Sequence, residues 1–264
     1  ETFRNMLASA PRFIVPRVLP EFSTAHVICS TYEHGHSVSS KPVRDLPLER
    51  RSALGKAALE LFFRELFVWG EIQTDPNFGN YRIRIAGEEG DDPGYDRIVL
   101  LDFGAVQAYS DEFLQPVIQM IRASYEDDLE AVIDGGVKLR FMSTDWPDEV
   151  LEKFGQVCMS VLEPLSSNKE SWPDYAVNSQ GQYRWKQSEL PSRVARQAAR
   201  SAISRYFRVP PKEFVFLNRK LIGVYTFVAV LNSEFNGEPL LRKYLYGEGD
   251  DAPDASATSQ STKA

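Results

Sequence analysis

The feature that most constrains this chain is the order in which a helix, two polar segments and a hairpin follow one another. Apolar residues recur at intervals of three and four over residues 48–69, which is typical of an amphipathic helix, and Gly70 follows as its expected C-terminal cap. A polar loop occupies residues 73–80. Strand-like runs at residues 81–85 and 97–101 then flank a Gly- and Asp-rich stretch, a pattern that predicts a hairpin. The chain is therefore predicted to fold as an α+β domain.

The two polar segments contain residues that work together in phosphoryl transfer. Asp75 and Asn80 have the spacing D-x-x-x-x-N in the loop, and a D-F-G turn that begins with Asp102 follows the second hairpin strand. Protein kinases need this arrangement because one Asp orients the substrate proton, while the Asn and the Asp of D-F-G hold Mg²⁺ on the nucleotide phosphates. Each segment alone could instead be an ordinary Asx or strand-ending turn. Their order, with a hairpin between them, favours the kinase-like interpretation.

The rest of the chain is predicted from its periodicity and composition. Two short β-branched runs precede the long helix, at residues 13–18 and 25–29, and predict strands. After Ser110 the pattern is helical, with a long connecting loop at residues 166–187 and a disordered tail from residue 247. Helices are expected at residues 111–125, at 127–138, after an entry through 145–147, at 190–207 and at 211–231.

Composition excludes several classes of protein. The 264 residues carry 30 Lys and Arg against 37 Asp and Glu, and the net charge of −7 argues against a nucleic-acid surface built on general phosphate attraction. Two cysteines and three histidines at undiagnostic spacings argue against a disulfide framework and a zinc module. The longest charge-free apolar stretch, residues 221–231, is shorter than the roughly 20 residues of a bilayer-spanning helix.

These motifs resemble those of the UbiB/ADCK (AarF-type) atypical kinases, which are associated with coenzyme Q biosynthesis. The catalytic loop of that family is similar to Q-[TA]-D-P-[HN]-x-x-N, and residues 73–80 match it at every fixed position. Residues 100–105 resemble the family's metal-binding strand end, and residues 15–18 with Gly35 resemble its approach to the hinge. Pro210 and Pro211, with Arg219 and Lys220, resemble its late helices. The resemblance covers about residues 1–245.

The resemblance implies a role for each site residue. Asp75 is expected to be the catalytic-loop Asp, and Asn80 and Asp102 are expected to bind Mg²⁺ and, through it, ATP. Gln73 would take the place of the usual His as a group that braces the loop beside the cofactor. The implied fold is protein-kinase-like and consists mostly of the helical C-terminal lobe, with the last strands of the nucleotide lobe. The expected division is 1–36 for the end of the nucleotide lobe and hinge, 37–246 for the helical lobe and 247–264 for the tail.

The chain departs from the family pattern in two respects. The acidic hinge residue of the family falls at Thr31, and the first lysine is Lys41, so the KxGQ motif, the Ala-rich loop, the phosphate-contacting Lys and its partner Glu do not precede Phe13. The chain is therefore expected to be a fragment, inactive alone, of an atypical kinase or ATPase. The alternative is a catalytically inactive kinase-like scaffold that binds nucleotide or lipid. A small-molecule phosphotransferase of the aminoglycoside or choline type ranks third.

The resemblance also implies partners and a location. Expected partners are a nucleotide, a quinone-precursor lipid and ubiquinone-biosynthesis proteins, with no nucleic acid. The expected location is cytoplasmic, with peripheral contact to a membrane, on the mitochondrial matrix side if the organism is eukaryotic. Arg193, Arg196 and Arg200 recur at three and four, which predicts one helix face that is either solvated or directed at anionic lipid headgroups.

Overall fold

The computed structural model describes residues 1–88, 94–200, 206 and 210–247. Helices and strands alternate in the first half, and helices dominate the second. The helices are α1 Thr2–Met6, α2 Lys41–Arg44, α3 Leu48–Phe63, α4 Asp111–Tyr125, α5 Leu129–Lys138, α6 Asp148–Val161, α7 Leu190–Arg200, α8 Lys212–Val230 and α9 Glu238–Tyr246. The strands are β1 Phe13–Ile14, β2 Glu71–Gln73, β3 Tyr81–Arg84, β4 Arg97–Leu100 and β5 Val106–Ala108.

The predicted hairpin is confirmed and forms most of a three-stranded sheet. β3 and β4 pair antiparallel, with Tyr81 opposite Leu100, and β1 pairs parallel with the other edge of β4. Ile83 and Ile98, which face each other across the hairpin, are almost completely buried. They belong to an apolar cluster that joins the sheet to one side of α3, so the hairpin is held by tertiary packing as well as by its ladder.

The prediction of a strand at residues 25–29 is wrong. That segment makes only isolated bridges, Val18 to Ser30 and Thr24 to Val27, and the first β-branched run is a strand only over β1. Ile28 is 80% exposed, so its β-branched side chain has no apolar face to pack against. Strand propensity depends mainly on such packing, and here the packing is missing.

The long predicted helix is confirmed, with a change of winding near its end. α3 continues without a break into a π-helical segment, Arg64–Trp69, and Gly70 ends it in the left-handed conformation with φ 64°. The carbonyl of Gly70 accepts a hydrogen bond from the backbone N–H of Tyr109 at 2.9 Å. The helix therefore ends beside the segment that follows the D-F-G turn.

The helices pack in succession around a large apolar core. α4, α5, α6 and α7 each contact the next, while α3 packs against α8. The bounds predicted for α4 match those observed, α5 begins two residues later than expected, and Pro147 caps α6 instead of entering its first turn. None of the helices in the described part of the chain combines the length and hydropathy that a bilayer crossing requires.

Several elements escaped the sequence analysis: β2, β5, α9 and the short helices α1 and α2. β2 and β5 form a small antiparallel sheet of three residues each, too short to show a period of two. α9 is anchored by Leu241 and Leu245, which are too few apolar positions to reveal a helical repeat. The small sheet is the element that brings the two polar segments together.

The predicted connecting loop at residues 166–187 has no regular strand or long helix, as expected, but it is part of the core. Trp172, Tyr183 and Trp185 are each no more than 5% exposed. The Tyr183 hydroxyl donates to Glu163 at 2.7 Å, and the indole of Trp185 donates to the carbonyl of Phe235 at 2.9 Å. The predicted tail beyond Gly247 lies outside the described residues, and so does the predicted extension of α7 to residue 207 apart from Tyr206, which lies in a turn.

Candidate active site

The loop that carries Asp75 and Asn80 is joined directly to the D-F-G turn. The backbone N–H and the hydroxyl of Thr74 both donate to the carbonyl of Ala105, at 3.0 and 2.8 Å. Nε2 of Gln73 donates to the carbonyl of Asp102 at 3.3 Å. The two polar segments therefore lie side by side, as the kinase-like interpretation of the sequence requires.

Gln73 lies beneath the loop. It is only 5% exposed, and its side-chain carbonyl Oε1 is buried without a hydrogen-bond partner among the described residues. Its amide braces the D-F-G backbone through Asp102. A contact between Gln73 and a cofactor stays a prediction.

The turn inside the loop is made by the side chain of Asn77, so the carboxylate of Asp75 is not used to form it. Oδ1 of Asn77 accepts the N–H of Gly79 at 2.9 Å, and the carbonyl of Asn77 accepts the N–H of Asn80 at 3.0 Å. Asn80 in turn donates from Nδ2 to Oδ2 of Asp75 at 2.8 Å. An Asx turn is present, but Asp75 is not the residue that makes it, so its carboxylate remains available for chemistry.

The Asp75 carboxylate lies between an amide and a cation. Besides Asn80 on one oxygen, Nη2 of Arg219 lies 3.4 Å from the other oxygen, Oδ1. The Asp75 side chain is 31% exposed and that of Arg219 is 56% exposed. The carboxylate is therefore oriented by two donors while one side of it still faces solvent.

Asp102 lies close to Asn80 because the backbone segments that carry them are hydrogen-bonded to each other. The N–H of Leu101 donates to the carbonyl of Asn80 at 2.9 Å, which places Asp102 next to the end of the loop. Oδ1 of Asp102 accepts the N–H of Gly104 at 2.8 Å, so this carboxylate does form the local turn that the alternative interpretation expected. The residue is exposed, and the local turn uses only Oδ1.

The donor set of this pair fits Mg²⁺. Asp102 offers a carboxylate, and Asn80 offers its side-chain carbonyl because its Nδ2 is bound to Asp75. Mg²⁺ prefers such hard oxygen ligands, and it is usually held by one or two carboxylates together with substrate phosphates. Within the described residues, no cluster of three or more His, Cys, Asp or Glu side chains could cage a metal ion. The pair therefore supplies two oxygen ligands of the kind that Mg²⁺ prefers.

The aromatic residue of the D-F-G turn is packed by the beginning of the chain. The rings of Phe103 and Phe3 lie with centroids 4.9 Å apart, and Phe3 makes an edge contact with Trp69 at 5.8 Å. Phe3 is 5% exposed. α1, which the sequence analysis did not predict, therefore fixes the D-F-G turn against the end of the long helix.

A buried ion pair lies behind the loop. Lys220 of α8 and Glu65 of the π-helical segment are 3% and 1% exposed, and Nζ of Lys220 lies 2.9 Å from Oε2 of Glu65. Burial raises the pKa of Glu65 and by itself would lower that of Lys220. Because the two opposite charges are in contact, the pKa of Lys220 nevertheless lies above its usual value. Sequence analysis missed this pair, although each residue is a charge that interrupts an apolar helical run.

The helix α8 approaches the loop closely enough to exclude a side chain. A Cβ atom added at Gly223 would lie 2.1 Å from Cβ of Pro76, far inside van der Waals contact. Glycine is therefore required at this crossing, because the backbone of α8 passes directly beneath the loop.

Other sequence-predicted residues lie away from this centre. Thr31, at the hinge position, donates from its hydroxyl to Glu33 at 2.9 Å and accepts the N–H of Arg17 at 3.0 Å. Arg193 is only 23% exposed and forms a two-pronged ion pair with Glu163 at 2.6 and 2.9 Å. The predicted arginine face is therefore wrong for Arg193, which folding directs to a buried carboxylate, and the side chain of Arg200 lies outside the described residues.

The fold and the site define a class of protein. A helical lobe that presents a D-x-x-x-x-N loop, a hairpin and a D-F-G turn, joined by hydrogen bonds, is a kinase-like architecture. The chain belongs to a particular family within that class, because residues 1–135, half of its length, match the sequence profile of the ABC1 atypical kinase-like domain. The predicted family and the predicted α+β kinase-like fold are both confirmed.

Comparison with individual proteins supports the same assignment. The chain is 27% identical over 93% of its length to "Atypical kinase coq-8, mitochondrial" of Caenorhabditis elegans and 29% identical over 89% to "Atypical kinase COQ8B, mitochondrial" of Danio rerio. It covers only 31% and 34% of those proteins, about a third of their length. The structure titled "The complex structure of Rv3197-erythromycin from Mycobacterium tuberculosis" shares the fold, with a TM-score of 0.61 and 17% identity over 92% of this chain and 55% of that one.

Proposed function

We propose that this chain carries the catalytic loop and the metal-binding turn of an atypical kinase or ATPase that uses ATP and Mg²⁺. The observation that carries the proposal is the joined arrangement of Asp75, Asn80 and Asp102, with the loop and the D-F-G turn linked through Thr74. A single motif of this kind is common, whereas two motifs in the kinase order and in hydrogen-bond contact are not.

Each residue has a separate task in this proposal. Asp75 accepts the proton of the attacking hydroxyl or water, or orients it, and its carboxylate is aimed by Nδ2 of Asn80. The carboxylate of Asp102 and the side-chain carbonyl of Asn80 would hold the metal ion. When bound, Mg²⁺ neutralises the negative charge on the phosphates of ATP during transfer. The buried side-chain amide of Gln73 holds the loop against the D-F-G turn.

The biological role that we propose is support of ubiquinone biosynthesis. Two relatives are named atypical mitochondrial kinases of the coq-8 and COQ8B type, and the catalytic loop resembles that of the family linked to coenzyme Q. A quinone-precursor lipid and ubiquinone-biosynthesis proteins are the proposed partners. In a eukaryote, the proposed location is the mitochondrial matrix side of a membrane, with peripheral contact only.

Nucleotide binding by variants tests the proposal. Titration calorimetry measures Mg²⁺-dependent ATP binding for the 264-residue chain, and for a longer protein containing it, with Asp102→Asn, Asn80→Ala and the control Asp174→Asn. Asp102→Asn is expected to weaken binding most, because a carboxylate supplies charge to a hard cation and an amide supplies only a dipole. Asn80→Ala is expected to weaken binding less, and the control, on a distant turn, is expected to leave it unchanged.

Turnover measurements separate the enzyme from the inactive scaffold. In the longer protein, ATP hydrolysis or phosphoryl transfer is expected, and Asp75→Asn is expected to abolish it while leaving Mg-ATP binding close to normal. Binding without turnover would favour the scaffold. If Asp102→Asn and Asn80→Ala both bound Mg-ATP like the parent, the assignment of this site would be wrong.

A further inference from the structure

The buried pair of Glu65 and Lys220 contacts both ends of the catalytic loop. At the start of the loop, Oε1 of Glu65 accepts the backbone N–H of Gln73 at 3.3 Å. At its end, Lys220 lies beside Tyr81, the residue that directly follows Asn80: both side chains line one cavity, and the positive charge of Lys220 acts on the Tyr81 hydroxyl. The two charged residues are themselves joined at 2.9 Å. The charged groups of this pair therefore lie behind the loop at both its start and its end.

The energetics of buried ion pairs indicate that this one is not there to stabilise the fold. Removing two charges from water costs about as much as their attraction returns, and apolar residues of similar size often replace such pairs without loss of stability. Glu65 and Lys220 lie in helical segments surrounded by apolar residues, where such a replacement would be simple. Buried polar contacts do, however, select one geometry, because any other arrangement leaves a charge unpaired.

The local structure around Glu65 and around Lys220 also indicates a role in supporting the loop. Glu65 lies at the beginning of the π-helical segment Arg64–Trp69, and such segments occur frequently at functional sites. On α8, the residue before Lys220 is Arg219, which reaches Asp75, and Gly223 one turn later packs on Pro76. Arg219, Lys220 and Gly223 therefore support the catalytic loop from within about one turn of α8, and Phe227 packs on Phe78 and Tyr81 further along the same helix.

The geometry points to Glu65 and Lys220 as positioning residues that clamp both ends of the loop at residues 73–81 and thereby hold Asp75 and Asn80 in their productive arrangement. The expected effect on metal and nucleotide binding rests on the proposed function. The expected effect on the protection of the loop does not rest on the proposed function. The clamp and the proposed function can therefore be contradicted separately.

The test replaces the pair by apolar residues of similar size in the 264-residue chain. In Glu65→Leu/Lys220→Met both polar contacts are lost and no charge is left unpaired. Tyr81→Phe removes only the contact at the end of the loop. The control is Glu163→Gln/Arg193→Met, which removes an ion pair whose neighbours are Tyr183 and Ser188 instead of the loop.

Two readouts are measured for each protein. Hydrogen exchange followed by mass spectrometry reports the protection of residues 73–81 and of every other peptide. Electron paramagnetic resonance reports the binding of Mn²⁺ with ATP. We expect Glu65→Leu/Lys220→Met to keep its thermal midpoint within a few degrees, to exchange at least tenfold faster at residues 73–81, and to bind Mn-ATP at least tenfold more weakly. Tyr81→Phe should show a smaller change confined to the same peptide, and the control should show neither change.

The inference is overturned if the double variant exchanges like the parent at residues 73–81, or if protection falls equally across the whole chain. If the double variant does not fold, Tyr81→Phe provides the test. Unchanged exchange at residues 73–81 in Tyr81→Phe then overturns the inference. Faster exchange at the loop with no Mn-ATP binding even in the parent would support the clamp and count against the proposed function.

Discussion

The loop at residues 73–81 and the segment at residues 18–34 are both irregular stretches of polar and apolar residues, yet they differ in how neighbouring elements support them. The loop is supported from behind by a buried ion pair and by a helix crossing at Gly223. The earlier segment has a short 3-10 turn, isolated bridges and a few side-chain hydrogen bonds, and it exposes large apolar side chains, with Ile28 at 80% and Tyr32 at 81%. Irregular backbone becomes a defined site only where neighbouring elements hold its ends.

The largest expected effect comes from breaking the support of the loop at one residue. Lys220→Met leaves Glu65 charged and buried without its partner, which should lower the free energy of unfolding by about 3–5 kcal/mol. Urea denaturation measures this loss. Adding Glu65→Leu to the same protein should restore most of it, and a double variant as unstable as the single one would contradict the pairing.

High pH should weaken the same support. Because the pKa of Lys220 is raised in the folded chain above its ordinary value of 10.5, its contribution to stability is full below the pKa of a free lysine. That contribution is lost as the pH rises through the higher pKa of the folded state. The urea midpoint should therefore drop further, between a pH below that range and a pH above it, for the parent than for Glu65→Leu/Lys220→Met. Parallel curves would show that Lys220 does not titrate in the folded chain as described.

The next effect concerns the crossing of α8 beneath the loop. Gly223→Ala inserts a methyl group where Pro76 already lies, and such overpacking typically costs about 1–3 kcal/mol. Ile222→Ala is the matched control on the neighbouring residue, whose side chain is 40% exposed. Urea denaturation should show a loss for Gly223→Ala that clearly exceeds that of the control. Equal losses would mean that the helix can move away from Pro76 at little cost.

The smallest effect is expected in the segment that lacks support. Replacing Ile28 and Tyr32 by Ser should change the free energy of unfolding by no more than about 0.5 kcal/mol, because both side chains are largely exposed and the ring of Tyr32 contacts the ring of His34, which is itself exposed. The same change should reduce self-association, since exposed apolar patches promote it. Sedimentation velocity over a range of concentrations measures this directly. A large loss of stability would show that residues 18–34 are packed more firmly than their exposure indicates.

Sequence and structure agree most closely where the information is local. The helix at 48–69, its cap at Gly70, the hairpin and the bounds of α4 all follow from periodicity and turn chemistry that neighbouring residues share. Predictions failed where tertiary packing decides. Residues 25–29 have strand propensity but no partner strand to pack against, and Arg193 has the spacing of a solvated face but is paired with Glu163.

The identities of the site residues could be predicted from sequence because a D-x-x-x-x-N loop and a D-F-G turn combine specific side chains with a specific order. Their support could not be predicted. Lys220 lies 155 positions along the chain from Glu65, and Arg219 lies 144 positions from Asp75. Neither α8 residue falls within the portion that matches the family profile, residues 1–135.

By itself, the sequence determined the longer helices and the hairpin, which side chains the two polar segments carry and the family to which the chain belongs. Only the tertiary structure decided which charges are buried, which helix crosses beneath the loop and which carboxylate an arginine reaches. The physical reason is that periodicity and turn chemistry act over a few neighbouring residues. The pairing of Glu65 with Lys220 and the contact of Gly223 with Pro76 arise only when distant segments are brought together and water is excluded between them.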